Sequence, residues 1–380
     1  MTDVAGTPIL EAAAAQGAKD QHMVLNMGPQ HPSMHGVLRL VVEIDGEIVL
    51  RVYPEIGYLH TGIEKTCEAK FYQQVVPLTD RIDYLSPMAN NLCYCLAVEK
   101  LLALEIPEKA QWIRVLLTEL TRLNSHLVWL GTHAMDIGAL TVFLYTFRER
   151  EDILRLFEAV SGQRMMTSYF RIGGLSMEPP LDFFDRVQRF IHTFPEKIDE
   201  YSNLLTGNPI FRNRLKGVGY LSAADAVALG VTGPPMRASG VDFDLRRDMP
   251  YSGYEKFQFK VPVSTDGMPE GAIKADAPKI VLPDREKMKT QMEALIHHFK
   301  IVTEGFAVPA GEVYQGIESP RGQMGYYVVS DGTAKPYRVH MRNPSFATLQ
   351  AVETMCKGRM IADLVAVIGS IDIVLGEIDR

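Results

Sequence analysis

Two apolar runs, "VLRLVVEI" and "EIVLRVY", flank Asp45-Gly46 and alternate with polar positions at a period of two. That pattern predicts a tight hairpin with one face turned to a core. Farther along, the period lengthens to that of a helix: a pattern begins at about Ile63, another runs from Asn90 to Leu104, and Pro107 opens the next. From Glu108 to about Phe157, Leu116, Leu120, Leu123, Leu127 and Leu130 recur at steps of three and four. This segment is apolar nearly all round, and Leu127 to Phe147 is long enough to span a bilayer core of ~30 Å. Asp136 lies near its middle, where a charge costs at least ~2.5 kcal/mol in a membrane. The segment therefore reads as a buried helix of a soluble fold, broken near Gly131 or Gly138.

Beyond Ser161 a helix is expected from Leu181 to about Thr206, then a short one with Ser222 as N-cap and Gly230 as stop. Residues 233–283 are rich in Gly, Pro and Asp, with short strands expected in stretches such as "KFQFKVPV". A helical segment from Asp284 to about Gly305 precedes "GEVYQGIESPRGQMGYYVVSDG" and "KPYRVHMRNP", which alternate like a small antiparallel sheet. A last helix is expected over "PSFATLQAVETMCKGRMIADLVAVIGSIDIVLGEIDR", carrying Asp363 and Asp372 in apolar surroundings. The whole reads as a predominantly helical α+β chain with small antiparallel elements near the amino end and in the last third. Residues 1–22 form a mobile arm and 23–380 a single domain. Within that domain lie a hairpin region (23–54), a helical core (55–206), an irregular region (207–283) and a helix-sheet-helix region (284–380).

Composition narrows the function. The 380 residues are 47% hydrophobic and 22% charged, enough to bury a cavity within a large core. A net charge of −7 disfavours nucleic acid, whose phosphates need a basic surface. Cys67, Cys93, Cys95 and Cys356 show no two-residue spacing of the kind that holds zinc or an iron–sulfur cluster, so no metal is expected on this chain. Cys93 and Cys95 would point about 200° apart on a helix and read as small buried hydrophobes. The first residues have an acidic start and no basic region before an apolar run, so they do not read as a secretory signal. No phosphate loop, dinucleotide fingerprint, HExxH or GxSxG is present.

The candidate chemistry starts at "GPQHPSMHG". His31 and His35 would share a face on a helix, but Pro29, Pro32, Gly28 and Gly36 make this stretch a loop, held by the hairpin that follows. His60 sits between Gly57 and Gly62 on another loop. A carboxylate placed as Asp136 is must be paired or protonated, and a histidine partner would have its pKa raised from ~6.5. A structural salt bridge or a helix-end contact is the commoner role for such a residue. Tyr84, in "DRIDYLSP", suits a cavity wall that holds a carbonyl, and suits a core as well. Asp80, Arg81 and Asp83 read as a structural charge network.

Taken together, the runs "GPQHPSMHGVLRL", "IGYLHTGIEK", "DRIDYLSPMANN", "WLGTHAMDIGA", "FREREDIL", "SYFRIGG", "GVTGPPMRASGVDFDLR", "IKADAPKIVLP", "PAGEVYQGIESPRG", "SDGTAKPYR" and "IGSIDIVLGEIDR" resemble one family. It is the D subunit, of 49-kDa type, of proton-pumping NADH:quinone oxidoreductase, respiratory complex I. The resemblance spans nearly all of the chain after about residue 22. It implies the fold of the nickel–iron hydrogenase large subunit without its metal centre, since the CxxC pairs that hold nickel and iron are missing here. It implies a cavity shared with a partner subunit that carries the terminal iron–sulfur cluster, in which a quinone takes up two electrons and two protons. Carried over by motif, Tyr84 would bond one quinone carbonyl and His35 the other, with Asp136 as the charge partner of His35. His31 and Met34 would line the cavity, with His60 nearby. The chain itself would hold no cofactor. Its setting would be peripheral, on the cytoplasmic side of a bacterial cell membrane, among the other complex I subunits.

Two departures add to this. Many members have Arg at the position of Thr61 and His at or beside Met166. Losing positive charge near a cluster lowers its reduction potential, so the quinone expected is the low-potential menaquinone. Between "VPVSTDG" and "MPEGAIKADAP" most members also carry a further helical segment that is absent here. A non-catalytic scaffold in a divergent complex is the competing reading, and a metal-bearing hydrogenase-like enzyme a third.

Overall fold

In the computed structural model, residues 22–31, 34–257 and 272–380 are described. The amino-terminal arm up to residue 21 and most of "KFQFKVPV" lie outside these residues. Strands His22–Met27 (β1), Arg39–Asp45 (β2) and Ile48–Glu55 (β3) form an antiparallel sheet in the order β1-β2-β3. The β2–β3 turn closes with Asp45 opposite Ile48, and Gly46 supplies the positive φ of 59° that the tight turn requires.

The helical part begins with Ile63–Glu68 (α1), Tyr72–Thr79 (α2) and Pro87–Leu101 (α3). It continues with two long helices, Glu108–Asp136 (α4) and Leu140–Ser161 (α5). The expected break falls at Gly138, whose φ is 97° and whose N–H closes on the Met135 carbonyl at 2.9 Å. Gly131 stays helical. A Cβ there would meet Thr146 Oγ1 at 2.4 Å, so this glycine lets α4 and α5 approach closely. No helix among the described residues is long and apolar enough to cross a membrane.

A two-stranded ribbon, Phe170–Arg171 (β4) with Gly174–Leu175 (β5), leads to Phe183–Leu205 (α6). Four short helices follow: Pro209–Leu215 (α7), Ala223–Ala228 (α8), Pro234–Ala238 (α9) and Leu245–Asp248 (α10). Ser222 caps α8 by accepting from Asp225 N, and Gly230 ends it with a φ of 69°. The segment expected as one helix from Asp284 is two, Arg285–Thr290 (α11) and Met292–Thr303 (α12), because Gln291 adopts an extended backbone. Gly311–Ser319 (β6), Gly322–Ser330 (β7) and Arg338–Arg342 (β8) form the antiparallel sheet read from the sequence.

The last helix is not continuous. It is divided into Pro344–Leu349 (α13), Ala351–Cys356 (α14), Ile361–Ser370 (α15) and Leu375–Asp379 (α16). Gly358 and Asp372 take left-handed backbones, with φ of 74° and 48°, where a helix cannot run on. The architecture is α+β, with helices predominating over the small sheets.

Two large cores organise the described residues, beside a small cluster of Ala134, Val142 and Leu205. One is formed by α3, α4, α5, α6 and the β6–β8 sheet. The other joins the amino-terminal sheet to the carboxyl-terminal helices through Met34, Leu38, Leu40, Val52, Val352, Leu364, Val367 and Leu375. This second core brings the "GPQHPSMHG" loop to the end of the chain.

Candidate functional site

The turn before α3 carries Tyr84. Asp83 fixes this turn by accepting from the N–H of Leu85 at 3.1 Å and of Ser86 at 3.2 Å, an Asx-type turn that aims Tyr84 independently of α3. The other Asp83 oxygen accepts from Arg321 Nη1 at 2.6 Å. Arg321 sits on the β6–β7 hairpin, whose carbonyls at Glu318 and Ser319 are held by Arg122 at 2.6 and 2.8 Å. Its Nε donates to the Asp372 carbonyl at 2.7 Å, and Nη2 reaches Asp372 Oδ1 at 3.4 Å. Both Arg321 and Asp83 are buried. Three regions of the chain are thus tied to one guanidinium.

The His35 loop reaches the same place from the amino end. A Cβ at Gly28 would come within 2.0 Å of the Leu38 carbonyl oxygen, so only glycine lets the loop close here. Leu38 N bonds Met34 O at 3.1 Å, and Met34 is sunk in the second core. Between them His35 holds a φ of 49°, an unfavourable conformation for a side-chain-bearing residue and one that concentrates at functional sites. Its Nε2 is buried without a hydrogen-bond partner among the described residues. Asp372, beside Arg321, shares this left-handed backbone.

Electrostatics set the proton inventory. Burial, then Arg321, then His133 push His35 down to about 4, so it is neutral at physiological pH. This corrects the expected carboxylate-raised histidine: the charge that acts on His35 is a guanidinium. His133 stacks on Trp129 with ring planes 4° apart, and burial lowers it to about 4. His126, between Arg122 and Arg321 in its charge environment, is lowered to about 3, mainly by burial. Carboxyl groups behave oppositely. Burial raises Asp372 to about 7 against the pull of Arg321, and raises Glu377 to about 8, with Asp83 adding to the rise. Tyr84 is raised by burial and by Asp83 and Glu377, while Arg321 opposes them. At neutral pH the protons of this site reside on Tyr84, on Glu377 and in part on Asp372.

This has a stability consequence. A buried acid raised above its ordinary ~4 favours folding below that value, and the benefit is lost as pH rises through the folded-state value. The lowered histidines act with the opposite slope, but only below about 6.5. The unfolding midpoint of the purified protein is therefore expected to fall between pH 6.5 and 8, at ~1.4 kcal/mol per pH unit for each proton still held. Glu377→Gln should flatten that slope; a midpoint that rises over this range would contradict the assignment.

The other residues singled out in the sequence take varied positions. Asp136 is the last residue of α4, half-buried, one turn beyond His133. His31 is half-buried and its carbonyl accepts from Met34 N at 3.1 Å. His60 is exposed on a loop clamped by Asp379, which accepts from Gly57 N at 2.7 Å and Leu59 N at 2.6 Å; its Nδ1 lies 2.5 Å from the Asp379 carbonyl. Asp80 accepts from Ser168 and also feels the Arg81 charge, whereas Asp83 pairs with Arg321 instead. All four cysteines are buried and free, and burial pushes their thiols up, away from the thiolate form that binds metal. The sequence alone does not pick out Arg321, Asp372, Glu377 and Asp379 as site residues, although the three acids stand within the otherwise apolar run "SIDIVLGEIDR".

The family model described as "Respiratory-chain NADH dehydrogenase, 49 Kd subunit" matches residues 136–268 and 264–380. The two matched stretches meet where the sequence lacks its further segment. The D 2 subunit of NADH-quinone oxidoreductase from Koribacter versatilis is 70% identical, over 98% of this chain and 98% of its own length. The corresponding D 1 subunit from Solibacter usitatus is 63% identical, over 100% of this chain and 99% of its own. That alignment extends over 406 residues against the 380 of this chain, so the relative carries residues that are missing here. The D subunit from Geobacter metallireducens is 57% identical over 96% of this chain and 100% of its own. The chain belongs to the family of the 49-kDa subunit of respiratory-chain NADH dehydrogenase, the D subunit of NADH-quinone oxidoreductase.

Proposed function

We propose that this chain forms, with an iron–sulfur partner subunit, the cavity in which a quinone is reduced by two electrons and two protons. In this reading it has the hydrogenase large-subunit-like fold and works at the cytoplasmic side of the cell membrane as a peripheral part of complex I. It makes its contacts with the iron–sulfur subunit and the adjoining subunits of the complex. Tyr84 donates to one quinone oxygen. Neutral His35 donates to the other through its imidazole N–H, and Asp136 is the charge partner available when His35 becomes protonated. His31, Met34 and His60 belong to the wall and approach of the cavity. The quinone is menaquinone, in keeping with the uncharged Thr61 and Met166 at positions where many members of the family carry Arg and His.

One observation supports this most: two residues far apart in sequence, Tyr84 and His35, both lie within the field of one buried guanidinium, and His35 offers a buried nitrogen with no partner among the described residues. As charge builds on the two oxygens of a quinone, donors already held in place stabilise it without reorganising. The reading is tested by irradiating the assembled complex with a photoreactive quinone analogue and mapping the label. Attachment within residues 28–38 or 80–86, abolished by excess menaquinone, is the expected result. Label confined to other segments of the chain would overturn it.

A further inference from the structure

Reduction of a quinone to a quinol takes two protons, and His35 is a neutral imidazole with no acidic proton to spare in the resting site, so Tyr84 can supply only one until it is itself replenished. The turn that carries Tyr84 packs against the start of α16, where a Cβ at Gly376 would come within 2.5 Å of the Ile82 carbonyl oxygen, and the next residue of that helix bears a carboxyl group that no catalytic role has claimed. Glu377, on α16, is completely buried. Ser345 Oγ donates to its Oε2 at 2.5 Å, with Ser345 N at 3.3 Å, and Asn343 Nδ2 holds its backbone carbonyl at 2.9 Å. Oε1 has no partner among the described residues. A buried acid with one oxygen bonded and the other open is either an unmet cost to the fold or a group that exchanges a proton.

Resting on the quinone-site reading above, we propose that Glu377 is the proton store behind Tyr84, returning a proton to the tyrosine after it has protonated the reduced quinone. In this sequence two electrons reach the quinone from the partner's iron–sulfur cluster. The Tyr84 O–H bond breaks as a bond forms from that hydrogen to one quinone oxygen, leaving a phenolate, while the second quinone oxygen takes its proton from water, which completes the quinol. The Glu377 carboxyl O–H then breaks and its proton restores the Tyr84 hydroxyl, leaving a carboxylate that recovers a proton from water. The surroundings suit both states. Asp83 and the burial of the site favour the protonated acid, while Arg321 and the Ser345 hydroxyl stabilise the carboxylate once formed. The Glu377 charge is felt by Tyr84 and also by Tyr326 and Arg342, whose own bonds hold them in place: Tyr326 to Asn90 and Arg342 to the Gly230 carbonyl. Asp372 shares Arg321 with Asp83, so it acts on the cluster through the same guanidinium. Glu377 is a positioning and proton-storing residue, because it acts on the substrate only through Tyr84.

The test uses membranes containing the assembled complex, with electron transfer to quinone measured from pH 6 to 9 beside transfer to an artificial acceptor that takes electrons upstream. Wild type should lose quinone turnover as pH rises through about 8, where Glu377 gives up its proton. Glu377→Gln should lower kcat at least tenfold and abolish that alkaline limb, with the quinone KM and the upstream activity unchanged. Glu377→Asp should restore part of the rate. Ser345→Ala removes the hydroxyl that favours the carboxylate, so it should move the limb to higher pH, and it stands as the test if the Gln variant does not assemble. An assembled Glu377→Gln complex with the wild-type rate and profile, or a limb unmoved in Ser345→Ala, would overturn the proposal. Failure of the quinone-site reading itself would look different: Tyr84→Phe would then turn over quinone normally.

Discussion

Tyr84→Phe is expected to lower the rate of quinone reduction by two to three orders of magnitude while electron transfer to an upstream acceptor is retained. The substitution deletes one hydroxyl and keeps the ring. The turn that holds the ring is built by Asp83 and the N–H groups of Leu85 and Ser86, none of which involves the tyrosine hydroxyl. Fold and assembly should therefore survive. In the proposed quinone site, what disappears is a donor to an oxygen where negative charge develops. Removing one such preorganised donor costs ~10²–10³ in kcat in well-studied cases, because water cannot reach the site to replace it. The effect should fall on kcat more than on KM, since a hydroxyl whose proton is held firmly by burial and by neighbouring acids interacts most strongly once charge has accumulated. The measurement compares quinone reduction and upstream activity in membranes from the two strains, with the protein quantified in each. Undiminished quinone reduction would mean that Tyr84 is packing and that the substrate binds elsewhere.

The elements of this fold were largely legible because they rest on local rules. Alternation around Asp45-Gly46 located the hairpin, leucine spacing located α4, Ser222 and Gly230 bounded α8, and alternation again located β6 to β8. Continuity failed where the backbone is set by distant partners. Nothing in the apolar pattern of the last forty residues announces that Asp372 turns left-handed, for its reason is Arg321, 51 positions earlier, to which it offers both its carbonyl and its carboxylate. The site was legible only in part for the same reason. Asp136 and His35 looked like natural partners because a buried carboxylate needs one. The sequence could not show that a guanidinium from "SPRG" would dominate the histidine, nor that Asp83, 238 positions before Arg321, would be its ion-pair partner. A usable signal was nevertheless present. Charged residues inside apolar runs, such as the acids of "SIDIVLGEIDR", must find partners when buried, and the number of acids exceeds what the one buried Arg321 can neutralise. That imbalance is what leaves protons stored in the site.

Arg321→Met tests the structural half of this account and should be the most damaging single substitution in the cluster. The guanidinium spans Asp83 on one side and the carbonyl and carboxylate of Asp372 on the other, through three different nitrogens. Methionine fills similar volume and supplies none of these donors. Asp83 has no accessible surface, so breaking its pair leaves a buried charge uncompensated, at a cost of ~3–5 kcal/mol. The easiest relief is to protonate the carboxyl groups. The variant should accordingly be closer to wild type at pH 5 than at pH 8, where protons are scarcer and the repulsion among Asp83, Asp372 and Glu377 is greatest. Arg321→Lys should recover only part of the loss, because a single ammonium cannot reach both sides of the gap as the planar fork does. Removing the cation also lifts the guanidinium charge that, after burial, holds His35 down, so its pKa should move back toward the ordinary histidine value. Thermal unfolding of the purified protein at pH 5 and pH 8 checks the first two expectations. A variant as stable as wild type at both would show that the three acids are not held by this arginine, and with it the reason for a proton store beside Tyr84 would be lost.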